Sequence, residues 1–315
     1  MSLAGRVPRK PKALQKGSKV AVFAPASPAE QLEVTAGLAE LRRLGYEFTP
    51  VQFPGSEGYF AGSTPARLDA FVKAARHAEI AGLVALRGGY GATYLLDHNL
   101  AAQLQEPKCV IGFSDLTSLQ IYLWQKCGWV TFHGPMVTAG LNRGADDAKG
   151  YDEDSFLQAV GNTKSGWEIP LGGKVLARGV AEGRLLGGCL TLLQATLGTP
   201  WELDTAGSIL VLEDRGMRPY QVDRALMHLK QAGKFQAVRG VLLGEFPESG
   251  PAVKGSPTVP EVCERLLSPL GVPIVFGAAV GHTQRPMLTL PLGVQARLVA
   301  SEGGQLEILE PAVVQ

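Results

Sequence analysis

A chain of 315 residues, 45% hydrophobic and 19% charged, holds too much apolar material for a disordered protein and enough for one large or two ordinary domains. Thirty basic and twenty-nine acidic residues leave a formal charge of +1, which supplies no field for gathering nucleic acid or an anionic membrane. The four cysteines form no C-x-x-C pair, so neither a disulfide framework nor a zinc site is expected, and no metal or cofactor is implied.

The basic residues Arg6, Arg9, Lys10, Lys12, Lys16 and Lys19 precede the first apolar run. They read as a frayed, solvated tail rather than a docking arm. No apolar signal core separates them from that run, and later runs are strand-sized, well short of the roughly 20 residues of a membrane helix. The expected address is the cytoplasm.

Lys19 to Ala24 reads as the first strand. Leu32, Leu38, Leu41 and Leu44 then form a helical stripe that Gly45 ends. A strand over Tyr46 to Val51 follows, then a helix opened by Ser63-Thr64-Pro65 and running to His77. Leu83 to Leu86 is the next strand, and it enters Arg87-Gly88-Gly89-Tyr90-Gly91. That loop lacks the lysine of a P-loop and the spacing of a dinucleotide fingerprint, and it reads as an anion or oxyanion loop. Cys109 to Gly112 is a strand that meets a helix near Leu116. This alternation predicts an α/β fold with a mostly parallel N-terminal sheet over 1–145. Residues 146–173, rich in glycine and carboxylates (Asp146, Asp147, Asp152, Glu153, Asp154), read as a linker whose acids favour the first turn of a helix from about Ser155. Residues 174–315 read as a mixed α/β domain, with a helix from about Cys189 to Leu197, a strand at Ile209 to Leu212 and a helix carrying Val222, Leu226 and Leu229. Further strands are expected at Val238 to Gly244, Ile274 to Phe276, Leu288 to Leu290 and Gln295 to Val299.

Three places can carry chemistry. In Val110-Ile111-Gly112-Phe113-Ser114-Asp115-Leu116 a buried strand turns at once into a helix, which puts a serine hydroxyl beside free amides and a positive helix end. The same serine could equally be an N-cap. A serine nucleophile needs an imidazole and an orienting carboxylate. Among the five histidines, His77, His98 and His228 lie in helical patterns. His133, at the end of a strand taken to be a sheet edge, and His282, after Gly281, are the two local choices, and local grounds do not separate them. Glu213 ends the apolar run Ile209-Leu210-Val211-Leu212, where parallel sheets gather functional groups.

These pieces, with Val20 to Ser27, His133-Gly134-Pro135-Met136, Leu212-Glu213-Asp214, Pro219-Tyr220 and Gly281-His282 in register, resemble the LD-carboxypeptidase family of serine peptidases. That family comprises the muramoyl-tetrapeptide carboxypeptidases and includes the microcin C immunity protein. The resemblance implies that Ser114 is the nucleophile, His282 the base and Glu213 its partner. The amides of Gly89 and Asp115 would form the oxyanion hole, and His133 would take a supporting role. It further implies removal of the terminal D-alanine from a murein tetrapeptide in cell-wall recycling, by a homodimer. Alternatives are hydrolysis of an aminoacyl nucleotide, for which Trp167 or Trp201 could stack a base, and non-catalytic muropeptide binding. Arg87 is a choice for the substrate carboxylate, and Tyr220 and Arg224 for lining a cleft between the domains. Cys189, in Gly187-Gly188-Cys189-Leu190, replaces the asparagine usual in the family and reads as a small buried residue.

Overall fold

The computed structural model describes residues 7–49, 55–96, 99–145, 147–251 and 253–315. Val51, His98 and Asp146 therefore lie outside the described residues. Its strands are β1 (Lys19–Phe23), β2 (Glu47–Phe48), β3 (Ile80–Ala85), β4 (Cys109–Gly112), β5 (Thr131–His133), β6 (Trp167–Pro170), β7 (Lys174–Ala177), β8 (Gly179–Cys189), β9 (Ser208–Glu213), β10 (Gly240–Gly244), β11 (Ile274–Ala278), β12 (Leu290–Leu292), β13 (Gln295–Ala300) and β14 (Gln305–Ile308).

They make two sheets with helices on their flanks. The first has the order β12-β5-β4-β3-β1-β2, and the second β6-β14-β13-β8-β9-β10-β11-β7. β1 to β5 pair in parallel, as do β8 to β11. The parallel strands β4, β9 and β10 are buried at every residue. This is why they read as unbroken apolar runs, since both faces of such a sheet are covered. β13, in the antiparallel part, alternates half-buried and buried residues along QARLVA, the period-2 pattern of a sheet with one wetter face.

Several boundaries follow local chemistry. Ser63 Oγ accepts from Ala66 N at the start of the helix Thr64–Arg76, with Pro65 in its first turn. Asp152 Oδ1 accepts from Ser155 N at 2.7 Å and opens the helix Glu153–Gly161. Residues 146–173 thus supply a helix and the edge strand β6, not only a connection.

Four expectations are corrected. Leu32, placed on the buried stripe of the helix Gln31–Arg43, is 86% exposed, because it lies in the first turn, ahead of the packed face of Val34 and Leu41. The basic segment from Arg9 onward is not frayed. Arg9 bridges Trp129, Lys12 bridges Val314, Leu14 is buried, and Lys10 pairs with Glu310 at 2.8 Å. Apolar residues between the charges hold it to the body of the protein. His133 is not at a sheet edge, since β12 pairs with β5 and leaves the ring fully buried. The late strand expected at Leu288 to Leu290 is β12, over Leu290–Leu292.

Candidate active site

The carboxyl ends of the parallel strands converge on one region, as open α/β sheets place their functional groups. β4 ends at Gly112, and Ser114 follows with φ of 62°, a left-handed backbone that a serine adopts only when the surroundings enforce it. The helix Leu116–Tyr122 starts directly behind it. Gln120 Nε2 donates to the carbonyls of Gly112 and Phe132, both at 2.9 Å, and so fixes the turn.

The glycine loop after β3 lies against this turn. A Cβ at Gly88 would sit 2.8 Å from both Ser114 Cβ and Oγ and 3.5 Å from Asp115 N. Only a bare Cα lets that backbone reach the hydroxyl. Ser27, after β1, joins the same cluster, with its Oγ accepting from Tyr90 N at 3.2 Å. Gly88 thus lies against Ser114 and the Asp115 amide, and Gly89 against Ser27.

At the end of β9, Glu213 is fully buried. Its Oε2 accepts from His282 Nδ1 at 2.7 Å and from the His282 backbone N–H at 2.9 Å. Its Oε1 faces His133 Nε2 at 3.5 Å, too long for a strong hydrogen bond. Burial alone would raise the Glu213 pKa, but His282 and His133 outweigh it and hold the carboxyl well below its usual range. Burial likewise lowers the His282 pKa, yet the Glu213 carboxylate reverses this and the net shift is upward from 6.5. With Nδ1 taken by Glu213, Nε2 is the nitrogen left for proton transfer. Phe113, the residue before Ser114, meets the His282 ring edge-on, with centroids 5.0 Å apart at 75°. Among the described residues no hydrogen bond joins His282 to Ser114, and such bonds commonly tighten only around substrate.

The structure therefore brings Ser114, Asp115 and the glycine loop together, and Glu213 with both His282 and His133, the two histidines that local sequence did not rank. Arg87 is half-buried, and its Nη1 donates to Pro28 O at 3.1 Å beside the loop. Among the described residues no hydrogen bond or ring contact joins Tyr220 or Arg224 to these groups. Arg224 lies over the Tyr220 ring in a groove along the helix Pro219–Gln231, with Gln194 and His228. Cys189 is 3% exposed, and burial, followed by Glu213 and Asp214, pushes its thiol well above the usual range, so it holds no thiolate.

Sequence reasoning missed Arg67, which is buried beneath the glycine loop. It also missed a surface cluster of Tyr59, Phe60, Tyr90 and Tyr94, whose neighbouring rings lie 4.4 to 5.9 Å apart. Tyr59, Tyr90 and Tyr94 are exposed, whereas Trp167 is buried and Trp201 packs on Tyr122. The one signal that could have found them was Tyr90 standing between glycines.

Comparison with known proteins gives a consistent outcome. The LD-carboxypeptidase N-terminal domain matches residues 20–134, and the LD-carboxypeptidase C-terminal domain matches residues 182–298. A probable murein peptide carboxypeptidase of Bacillus subtilis is 35% identical across 93% of this chain and 92% of its own. The muramoyltetrapeptide carboxypeptidase from Oxalobacter formigenes superposes with a TM-score of 0.81 at 29% identity, covering 93% of this chain and 99% of that one. Microcin C7 self immunity protein MccF in its wild type apo state superposes at 0.89, with 23% identity over 98% of this chain and 100% of that one. This last likeness is one of fold.

Proposed function

The chain belongs to the LD-carboxypeptidase family, and from that premise we propose that it is a serine peptidase that removes the terminal D-alanine of a murein tetrapeptide. The observation that carries this reading is the Glu213–His282 pair, bonded at 2.7 Å, beside a serine held at φ 62° against a glycine loop. His282 Nε2 takes the Ser114 proton as Oγ attacks the carbonyl of the third stem residue. The oxyanion forms opposite the amides of Gly89 and Asp115. The tetrahedral adduct then collapses, the C–N bond breaks, and His282 delivers its proton to the amine of the departing D-alanine. Water enters, gives its proton to His282, attacks the acyl ester, and Ser114 recovers its hydrogen as the tripeptide leaves. Glu213 stays ionised and holds the imidazolium throughout. The Arg87 guanidinium, at the root of the glycine loop, is the proposed partner of the free carboxylate that defines a carboxypeptidase substrate.

A second reading keeps the machinery and changes the substrate to an aminoacyl nucleotide. It is favoured by the tyrosines at 59, 90 and 94, exposed beside the catalytic loop where a base could stack. MccF has been solved with glutamyl sulfamoyl guanosine. Incubating the purified chain with murein tetrapeptide and, separately, with an aminoacyl sulfamoyl adenosine discriminates the two. Release of D-alanine supports the first reading, and cleavage of the nucleotide alone replaces it with the second. No turnover of either defeats both.

A further inference from the structure

Asp115 stands at the N-cap position of the helix Leu116–Tyr122, yet its side chain makes no capping bond to that helix. It is 1% exposed, and its Oδ2 accepts instead from Ala92 N at 2.8 Å, across to the glycine loop. Arg67 is 2% exposed, and its Nη1 donates to Gly91 O at 2.9 Å. Gly91 C=O and Ala92 N–H are the two ends of one peptide group. That group is therefore gripped by a cation at its oxygen and an anion at its nitrogen.

The rest of the guanidinium ties the grip to the surrounding chain. Arg67 also donates to the carbonyl of Pro25, which follows β1, to Gly62 O at 3.1 Å and to Thr64 Oγ1 at 3.1 Å. Phe60 packs over its charge at 4.8 Å. Among the described residues no carboxylate lies within ion-pair distance of Arg67, and no cation within that distance of Asp115, so the two charges meet through the peptide between them. Residue 91 has to be glycine, since a Cβ there would lie 2.8 Å from both Arg67 Nη1 and the Phe60 ring. Burial pushes the Asp115 carboxyl up to about 6, against the pull of the Ala92 bond and Arg67. Two charges are thus buried at a cost, and the Asp115 carboxylate does not cap the helix it precedes.

We infer that Arg67 and Asp115 form a clamp on the Gly91–Ala92 peptide that sets the glycine loop against Ser114, making both side chains positioning residues for oxyanion stabilisation. Asp115 then acts twice. Its amide faces the developing charge, and its carboxylate anchors the loop that brings the second amide. A donor displaced by about 1 Å loses on the order of 100-fold in rate, so the clamp affects the transition state and leaves ground-state binding alone.

The test uses the full chain with murein tetrapeptide, and it rests on Ser114 being the nucleophile. Asp115→Ala is expected to lower kcat about 100-fold with KM held within threefold, while Asp115→Asn, which keeps an acceptor for Ala92 N–H, loses about tenfold or less. Arg67→Met should fall in the same range, with partial rescue by Arg67→Lys. Because all act on one peptide group, the double variant should lose far less than the product of the single losses. A stem-tripeptide boronate, a tetrahedral mimic, should weaken in step with kcat. If Arg67→Met does not fold, the Asp115 pair and Arg67→Lys decide the matter. Folded Asp115→Ala with kcat within threefold of the parent overturns the clamp, as does a loss residing in KM or fully multiplicative single losses. Ser114→Ala separates the two failures. Retained turnover there defeats the serine mechanism itself, whereas lost turnover with active Asp115 and Arg67 variants defeats only the clamp.

Discussion

Replacing Glu213 by glutamine isolates the charge of the proposed orienting acid from its shape. Oε2 receives two donors, His282 Nδ1 at 2.7 Å and His282 backbone N–H at 2.9 Å, so a glutamine must turn its carbonyl oxygen to that position. Its amide nitrogen then faces His133. The backbone N–H therefore enforces the orientation that keeps the proton on Nδ1, and the tautomer survives. What disappears is the attraction between a carboxylate and the imidazolium formed during attack. For unit charges about 4 Å apart at an effective dielectric of about 20, that attraction is about 4 kcal/mol. At 1.36 kcal/mol per decade this bounds the kcat loss at about 10³-fold. The same change moves the pH profile. A base works only when neutral, and Glu213 holds the His282 pKa above 6.5, so the parent should lose activity as the pH falls through a limb above that value. Without the carboxylate, burial prevails and the limb moves to lower pH. Steady-state kcat between pH 5 and 9, with circular dichroism to verify folding, reads both effects. A glutamine variant within threefold of parental kcat and with an unmoved acid limb would refute the assignment of Glu213 as the partner of the base.

Other substitutions probe the same geometry. Gly88→Ala places a methyl group in the space of Ser114 Cβ and Oγ, at 2.8 Å; kcat should fall at least about 100-fold, measured by D-alanine release. Ser114→Gly and Ser114→Ala should each remove about 10³-fold or more of the activity. In urea melts the glycine variant should be the more stable of the two by about 1 kcal/mol, because alanine keeps the strain of φ 62° and glycine does not. Cys189→Ser should retain kcat within about threefold, and native protein at pH 8 should resist alkylation at this position, since the thiol is buried and shifted upward.

How much of this was legible depended on the range of the interaction. The strands β4 and β9 and the turn after Gly112 were plain in the sequence because a fully buried parallel strand is a continuous apolar run. The choice between His133 and His282 was not, and the structure shows why. Both rings address the same carboxylate, one at each oxygen, and only the contact at Oε2 has the length of a strong hydrogen bond. Sequence neighbours carry no trace of that difference. Arg67 was equally hidden. On a helix that opens with Ser63-Thr64-Pro65 it looks like any surface arginine, and its meaning depends on carbonyls of Pro25 and Gly91, which come from other segments.

The sequence suggested a serine from one domain meeting an acid and an imidazole from another, a geometry at the mercy of how two bodies dock. The strand register gives a tighter connection. Ser114 follows β4, and β5 lies beside β4 with Gly112 opposite His133. β12, from the C-terminal half, pairs with β5 and places Leu290 opposite the same His133. His282 stands eight residues before Leu290, and Val280, two residues ahead of His282, bridges Leu288. A ladder of backbone pairings thus runs from the strand that leads to Ser114 to the segment that carries His282. A shift of one residue in β12 would turn its side chains to the opposite face and pull that segment out of place. The side of the site nearest Ser114 is built into a sheet, and Glu213, on the second sheet, reaches across to a histidine that the first sheet already tethers.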